Sequence, residues 1–164
     1  MAYDAFLVLD GVKGETTDDA MSKKGAMEIY SFSWGASNPT TIGSTTTGSG
    51  GGKVSLSSFS CMKKLDNASP NLLKNCCIGD HYKTGSVMLR KAGGAQDIYL
   101  QYDLTEVYVE SYQVSGSSGG DDQPTESVSF TFAQVTMKYT PQTKEGKPGT
   151  AVTAGWNVTT NKPT

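Results

Sequence analysis

Long apolar runs are missing from this chain. Near the N-terminus the longest is Ala5 to Leu9, flanked by Asp4 and Asp10. A membrane-spanning helix needs about 20 apolar residues, and a secretory signal opens with a basic segment rather than an acidic one. The sequence therefore predicts no membrane insertion and no cleaved signal peptide, so that any export from the cytoplasm takes an unconventional route. A surplus of one charge is missing too. The 14 basic and 16 acidic residues divide evenly, 7 and 8 in the first 82 positions and 7 and 8 in the rest. Nucleic acid and anionic membranes need a basic face, so neither is an expected partner. Cysteine is scarce: Cys61, Cys76 and Cys77 make an odd count with two adjacent. That is no disulfide framework and fits synthesis in a reducing compartment.

Histidine is nearly absent, and His81 alone would have to serve any Ser-His-Asp or Cys-His site. It follows a helix stop in GDHYK, and no nucleophile elbow surrounds Cys76 or Cys77, so it reads as a polar residue at a helix end. Cys61, Cys76, Cys77 and His81 are enough ligands for a structural zinc, but C-C-x3-H lacks the C-x2-C pairing that brings two thiolates to one ion. The thiols read as small buried hydrophobes. Asp18 with Asp19, and Asp121 with Asp122, lack the alternating spacing of a calcium loop. GSGGGKV fails as a phosphate loop, with Thr47 where the first glycine belongs and Val54 where a magnesium-binding hydroxyl belongs. Asn-x-Ser/Thr sequons at Asn67 and Asn157 carry little meaning without a secretory signal. No catalytic, cofactor or metal residue is predicted.

What is present is period-two alternation, the signature of strands. Tyr30, Phe32 and Trp34 share one parity and predict an aromatic, core-directed face, while Ile29, Ser31 and Ser33 share the other. Ile98, Leu100, Tyr102 and Leu104 repeat the pattern, and TEVYVESYQV follows with scarcely a break, as a tight connection or a continuous bent ribbon. Val128, Phe130 and Phe132 give way to Val135, Met137 and Tyr139, a parity flip that predicts a bulge near Ala133 and Gln134. SPNLL opens a short helix, with Ser69 as the capping side chain and Pro70 where a missing N–H costs nothing. Gly79 stops it, and RKAGG closes the next strand with two permissive glycines. A chain of 164 residues is one domain by length, spanning 1–164. The expected fold is mainly β: a compact antiparallel β-barrel of about eight strands with one short α-helix packed on its side.

Two loops interrupt the strands. Residues 35–53, GASNPTTIGSTTTGSGGGK, have little apolar material to hold them to their own domain and by composition alone read as a linker. Residues 115–126, SGSSGGDDQPTE, read as a solvated hairpin loop.

SPNLLKNCCIGDHYKTGSVMLRKAGGAQ at 69–96, together with DGVKGE, SFSWG, FAQVTMKY and AGWNV, closely resembles the Hcp family, the haemolysin-coregulated proteins of bacterial type VI secretion, from Met1 to about Lys162. The resemblance implies a small β-barrel with a helix on its side. It also implies homohexameric rings stacked into a tube, inside a contractile sheath and behind a spike protein, fired from the bacterial cytoplasm with secreted effectors sheltered in the bore. It places Ser33 on the cargo-facing strand, and it makes the 35–53 loop an inter-protomer or inter-ring extension carrying Ser37, Thr41, Thr46, Gly50 and Lys53. The adjacent cysteines of NCCIGDH depart from many relatives, and the chain has no room for a fused toxin domain. Two other readings fit the pattern, a phage-like tail-tube subunit and a monomeric β-barrel enzyme or small-ligand binder. The motifs favour secretion over the first, and the lack of a polar catalytic constellation weighs against the second.

Overall fold

The alternating segments build fourteen strands and two helices among the residues that the computed structural model describes, 2–43, 50–120 and 123–164. In chain order these are β1 Tyr3–Leu9, α1 Asp19–Ser22, β2 Met27–Ile29, β3 Ser31–Ser33, β4 Ala36–Ser37, β5 Thr40–Thr41, β6 Gly50–Gly51, β7 Ser55–Leu56 and β8 Phe59–Lys64. There follow α2 Ser69–Ile78, β9 His81–Lys91, β10 Ile98–Ser115, β11 Thr125–Thr131, β12 Gln134–Tyr139, β13 Val152–Asn157 and β14 Lys162–Pro163. The seven strands of six or more residues, with β2 and β3 as one bent segment, correspond to the roughly eight strands expected. The rest are two-residue ladders. The second helix, α1, is a single turn whose N-cap Asp18 accepts from the Ala20 and Met21 N–H groups.

β10 is the spine. It is the continuous bent ribbon, 18 residues long. One edge pairs with β9 from Ile98↔Arg90 to Tyr108↔His81; the other pairs first with β12 and then with β11. The sheet then runs from β11 to β8 to β3, and from β9 to β1 to β2, all antiparallel. The ladder is not a closed barrel, which corrects the expected closure. Its two ends meet instead through a covalent bend. Ile29 pairs with Ala5 of β1, Ser31 pairs with Met62 of β8, and between them the Tyr30 N–H donates to the Met62 carbonyl at 2.8 Å.

That bend corrects a second expectation. Changing partners at Tyr30 flips the side-chain parity, so Ile29 is buried and Tyr30 is 55% exposed. Only Phe32 and Trp34 of the predicted aromatic face reach the core. The predicted flip between Phe132 and Val135 is real, since both are buried across a break at Phe132 and Ala133. The irregularity that matches it lies on the partner strand. Glu106 sits at φ +52° between Thr105 and Val107, switching the buried set of β10 from Tyr102 and Leu104 to Val107 and Val109. The register shift itself falls further along, between Val109 and Ser111.

The core lies between the inward faces of the sheet and one side of α2, with Phe59, Leu72, Leu104, Val107, Val128 and Phe130 almost fully buried. Ser69 does not cap α2. The N-cap is Ala68, which has no acceptor side chain, and the Ser69 hydroxyl is buried and committed elsewhere: it accepts from the Asp66 N–H at 3.0 Å and donates to Glu126 Oε1 at 2.9 Å. Asp66 Oδ1 substitutes for the cap, accepting from the Ala68 N–H at 2.9 Å. Gly79 ends the helix as expected, at φ +70° with its N–H on the Asn75 carbonyl. Of the two glycines in RKAGG, Gly94 takes the left-handed angle, φ +73°.

Beside Ser69 the core holds a charged cluster. Lys63 and Glu126 are fully buried and paired; Lys63 Nζ also donates to Asp66 Oδ1 at 2.7 Å and to the Lys64 carbonyl at 3.0 Å, and the Tyr112 hydroxyl donates to Glu126. It ties the start of α2 to β8, β10 and β11.

Candidate functional site

Ser33 lies on the outer face of β3, opposite the parity that packs half-buried Phe32 against the aromatic core. The register aligns it with hydroxyls on three further strands. Ser33 pairs with Ser60 of β8, Ser60 with Ser129 of β11, and Ser129 with Ser111 of β10. The Ser60 and Ser129 hydroxyls share a hydrogen bond at 2.9 Å. A second row runs Ser31, Met62, Ser127, Gln113, so a half-exposed methionine sits among small polar side chains. Alternation alone suggested the polarity of β3. The four-strand row was missed because it depends on register between segments up to about seventy residues apart, which no local pattern encodes.

The row borders a shallow concavity of about 490 Å³ lined by Ser33, Trp34, Gly35, Ser57, Ser58 and Glu110 among others. Its floor is rigid: the Trp34 ring packs on Phe59 at 6.2 Å, Tyr102 at 5.4 Å and Phe132 at 6.3 Å. The Ser57 hydroxyl bonds both the N–H and the carbonyl of Gly35, and Ser58 donates to Glu110. Neutral hydroxyls on a stiff sheet can donate to and accept from a folded partner. His81, exposed at the start of β9, is tilted against the Tyr108 ring at 5.2 Å, and Tyr108 pairs with Thr131, two residues along β11 from Ser129.

The described parts of the 35–53 segment pair as a ribbon rather than run as a shapeless linker. Ala36 and Ser37 pair with Leu56 and Ser55, and Thr40 and Thr41 pair with Gly51 and Gly50. The Gly52 N–H donates to the Pro39 carbonyl at 2.7 Å. Ser37, Thr41, Gly50 and Lys53 are all exposed, and Thr46, like Asp121 and Asp122, lies outside the described residues. Ile42 is 91% exposed. The arm gives none of its residues 36–43 to the core.

The cysteines divide by position. Cys61 is buried on β8, where desolvation pushes its thiol up to about 12. Cys76 packs half-buried against the core. Cys77, one residue on, points off the packed side of α2 into solvent, which corrects the reading of all three as buried. No group of three metal-ligating side chains occurs among the described residues, and no helix there is long and apolar enough to cross a membrane.

Comparison with known proteins matches residues 6–139 to the family described as "Type VI secretion system effector, Hcp". The chain is 40% identical to Protein hcp1 of Pseudomonas aeruginosa, with 98% of each chain covered. Among solved structures it resembles a type six secretion system protein with a TM-score of 0.92 at 37% identity, covering 99% of this chain and 100% of that one. It also resembles Hcp1 from Salmonella typhimurium with a TM-score of 0.79 at 32% identity, each chain fully covered. A bent antiparallel sheet flanked by one main helix, matched over its whole length by these relatives, establishes that this chain belongs to the Hcp family of type VI secretion proteins.

Proposed function

We propose that this chain is a structural subunit of the type VI inner tube. It assembles into hexameric rings that stack within the contractile sheath behind the spike, shelters effectors in the ring bore, and is itself exported when the sheath contracts. The observation that carries the reading is the serine row: a flat hydroxyl face across four strands, backed by a rigid aromatic core, suits a bore wall that must hold folded cargo and release it. Met62 adds an apolar contact in the centre of that face. The arm bearing Ser37, Thr41, Thr46, Gly50 and Lys53 suits a contact with an adjacent protomer or the next ring, since its described part buries nothing of its own chain. The role is mechanical rather than catalytic.

Export and cargo holding are tested separately. In the producing bacterium, deletion of the sheath gene should keep the protein inside the cell; its appearance in the medium without a sheath overturns the export reading. Ser33→Gln adds bulk to the row without touching the core, and should leave ring mass unchanged while effector co-purification falls at least severalfold. Unchanged co-purification removes Ser33 from the cargo face.

A further inference from the structure

The chain has a single arginine, and its donors are under-used. Arg90 lies on the face of β9 that looks away from the main core, beside Asp4 of β1, with its guanidinium 5.0 Å over the Phe6 ring. Its side chain is 5% exposed, yet among the described residues its only hydrogen bonds leave Nη2, to Asp4 at 3.1 Å and Asp18 at 2.6 Å. Nε is buried with no partner, and Nη1 makes no hydrogen bond among the described residues either. Buried donors are nearly always satisfied in native structures, so an unmet one on a cavity wall points to an acceptor that the cavity admits.

Arg90 lines a concavity of about 630 Å³, within the size range of small-ligand sites. It opens beside the small cluster in which Met21 and Ala26 cover Phe6. The rest of the lining carries acceptors. Asp4 gives Oδ2 to Arg90 and keeps Oδ1, and Glu28 takes the Thr16 hydroxyl on Oε1 at 2.7 Å and keeps Oε2. Asp18 is already committed, to the Ala20 and Met21 N–H groups and to Arg90. Tyr3 and Tyr30, also in the lining, are 48% and 55% exposed and offer aromatic faces. At the rim, Lys64 Nζ lies 6.0 Å from the centre of the Tyr30 ring.

These groups discriminate by charge. Three carboxylates around one guanidinium repel an anion, and an ammonium drawn to Asp4 meets the like charge of Arg90 beside it. No group of three metal-ligating side chains occurs among the described residues. A neutral ring with neighbouring hydroxyls avoids both penalties. It donates to Asp4 Oδ1 and Glu28 Oε2, accepts from the Arg90 N–H groups, and lays its C–H face on a tyrosine. We propose that this concavity binds a neutral saccharide, with Arg90 as its donor, Asp4 and Glu28 as its acceptors and Tyr30 as its stacking face. It shares no residue with the serine rows, and the inference does not rest on ring assembly.

Because Arg90 is the only arginine, protein grown on nitrogen-15-labelled arginine gives one Nε–H resonance, which reports the site directly. Glucose, galactose, mannose and N-acetylglucosamine are titrated singly, with chitotetraose as a glycan chain and spermidine and inorganic phosphate as charged alternatives. At least one saccharide should shift the Nε–H resonance saturably, with a dissociation constant on the order of 1 mM, the strength expected of a few neutral hydrogen bonds in an open site. A preference of about tenfold or more for chitotetraose over N-acetylglucosamine assigns the site to glycan chains, and equal affinity assigns it to free sugar. Glu28→Ala and Tyr30→Ala, both at exposed positions, should each weaken binding about fivefold or more with circular dichroism unchanged. No shift with any saccharide, a shift with spermidine or phosphate alone, or full binding in both variants overturns the inference. If one variant misfolds, the wild-type titration and the other variant decide.

Discussion

Lys63→Met is the sharpest test of what holds α2 and the three strands around it together. The lysine is fully buried, and its removal leaves Glu126, also fully buried, with only the Ser69 and Tyr112 hydroxyls as side-chain donors among the described residues. Breaking a buried pair by deleting one partner costs about 3–5 kcal/mol, because the remaining charge keeps its desolvation penalty and loses its compensation. Asp66 adds less to that cost, since it keeps the Ala68 N–H as a donor and its side chain is partly exposed. For a domain of this length each kcal/mol moves Tm by about 2–4 °C, so the variant should melt roughly 6–20 °C lower. Lys63→Met/Glu126→Leu removes both charges and should recover most of the loss, as apolar replacements of buried pairs often do. Urea unfolding and calorimetry of the single and double variants measure this coupling. A single variant within about 1 kcal/mol of wild type, or a double variant no better than the single, refutes the argument that desolvated charge governs this cluster.

Glu106 occupies a left-handed backbone region that costs a non-glycine residue on the order of 1–2 kcal/mol, so Glu106→Gly should be neutral to mildly stabilising in the middle of a strand, whereas Glu106→Val should lose more than about 1 kcal/mol in urea. Burial pushes the Tyr82 and Tyr112 phenols and the Cys61 thiol up to about 12, from ordinary values of 10.0 and 9.0. These pKa values are raised by folding, so their contribution to stability is complete below pH 9 and drains as pH rises toward 12. In alkaline titration the last part of the tyrosine absorbance change, from Tyr82 and Tyr112, should therefore coincide with loss of the circular dichroism signal, and completion of the absorbance change while that signal is intact contradicts this. Asp18 shifts the other way, to about 2 from 3.8, chiefly through its hydrogen bond from Arg90. Its contribution is present above pH 3.8 and lost toward pH 2, so Asp18→Asn, which keeps the α1 cap, should show a shallower fall in stability across that interval.

Local signals carried well where local chemistry decides the outcome. Gly79 stops α2 because a left-handed residue is needed there, and the alternation from Ile98 to Leu104 survives because it rests on one strand with one buried face. The flip between Phe132 and Val135 was legible for the same reason. Its counterpart at Glu106 was not, since glutamate gives no sign of a left-handed angle. Tyr30 failed because the exchange of partner from β1 to β8 is a tertiary event with no glycine or proline to mark it. Ser69 failed because a serine before Pro70 has the composition of a cap, while its hydroxyl answers to Glu126, 57 positions away. The outward parity of Ser33 is legible from the alternation of β3. The row that gives it neighbours, Ser60, Ser129 and Ser111, depends on pairing register alone. The exposure of Met137 and Tyr139 is hidden from sequence, because both continue the apolar alternation that starts at the buried Val135.

The central claim is that this chain closes into rings, and light-scattering mass on a sizing column, with negative-stain imaging of the same peak, tests it most directly. The account predicts a mass of a hexamer of 17.4 kDa protomers and ring-shaped views; a monodisperse monomer with no rings at high concentration contradicts it.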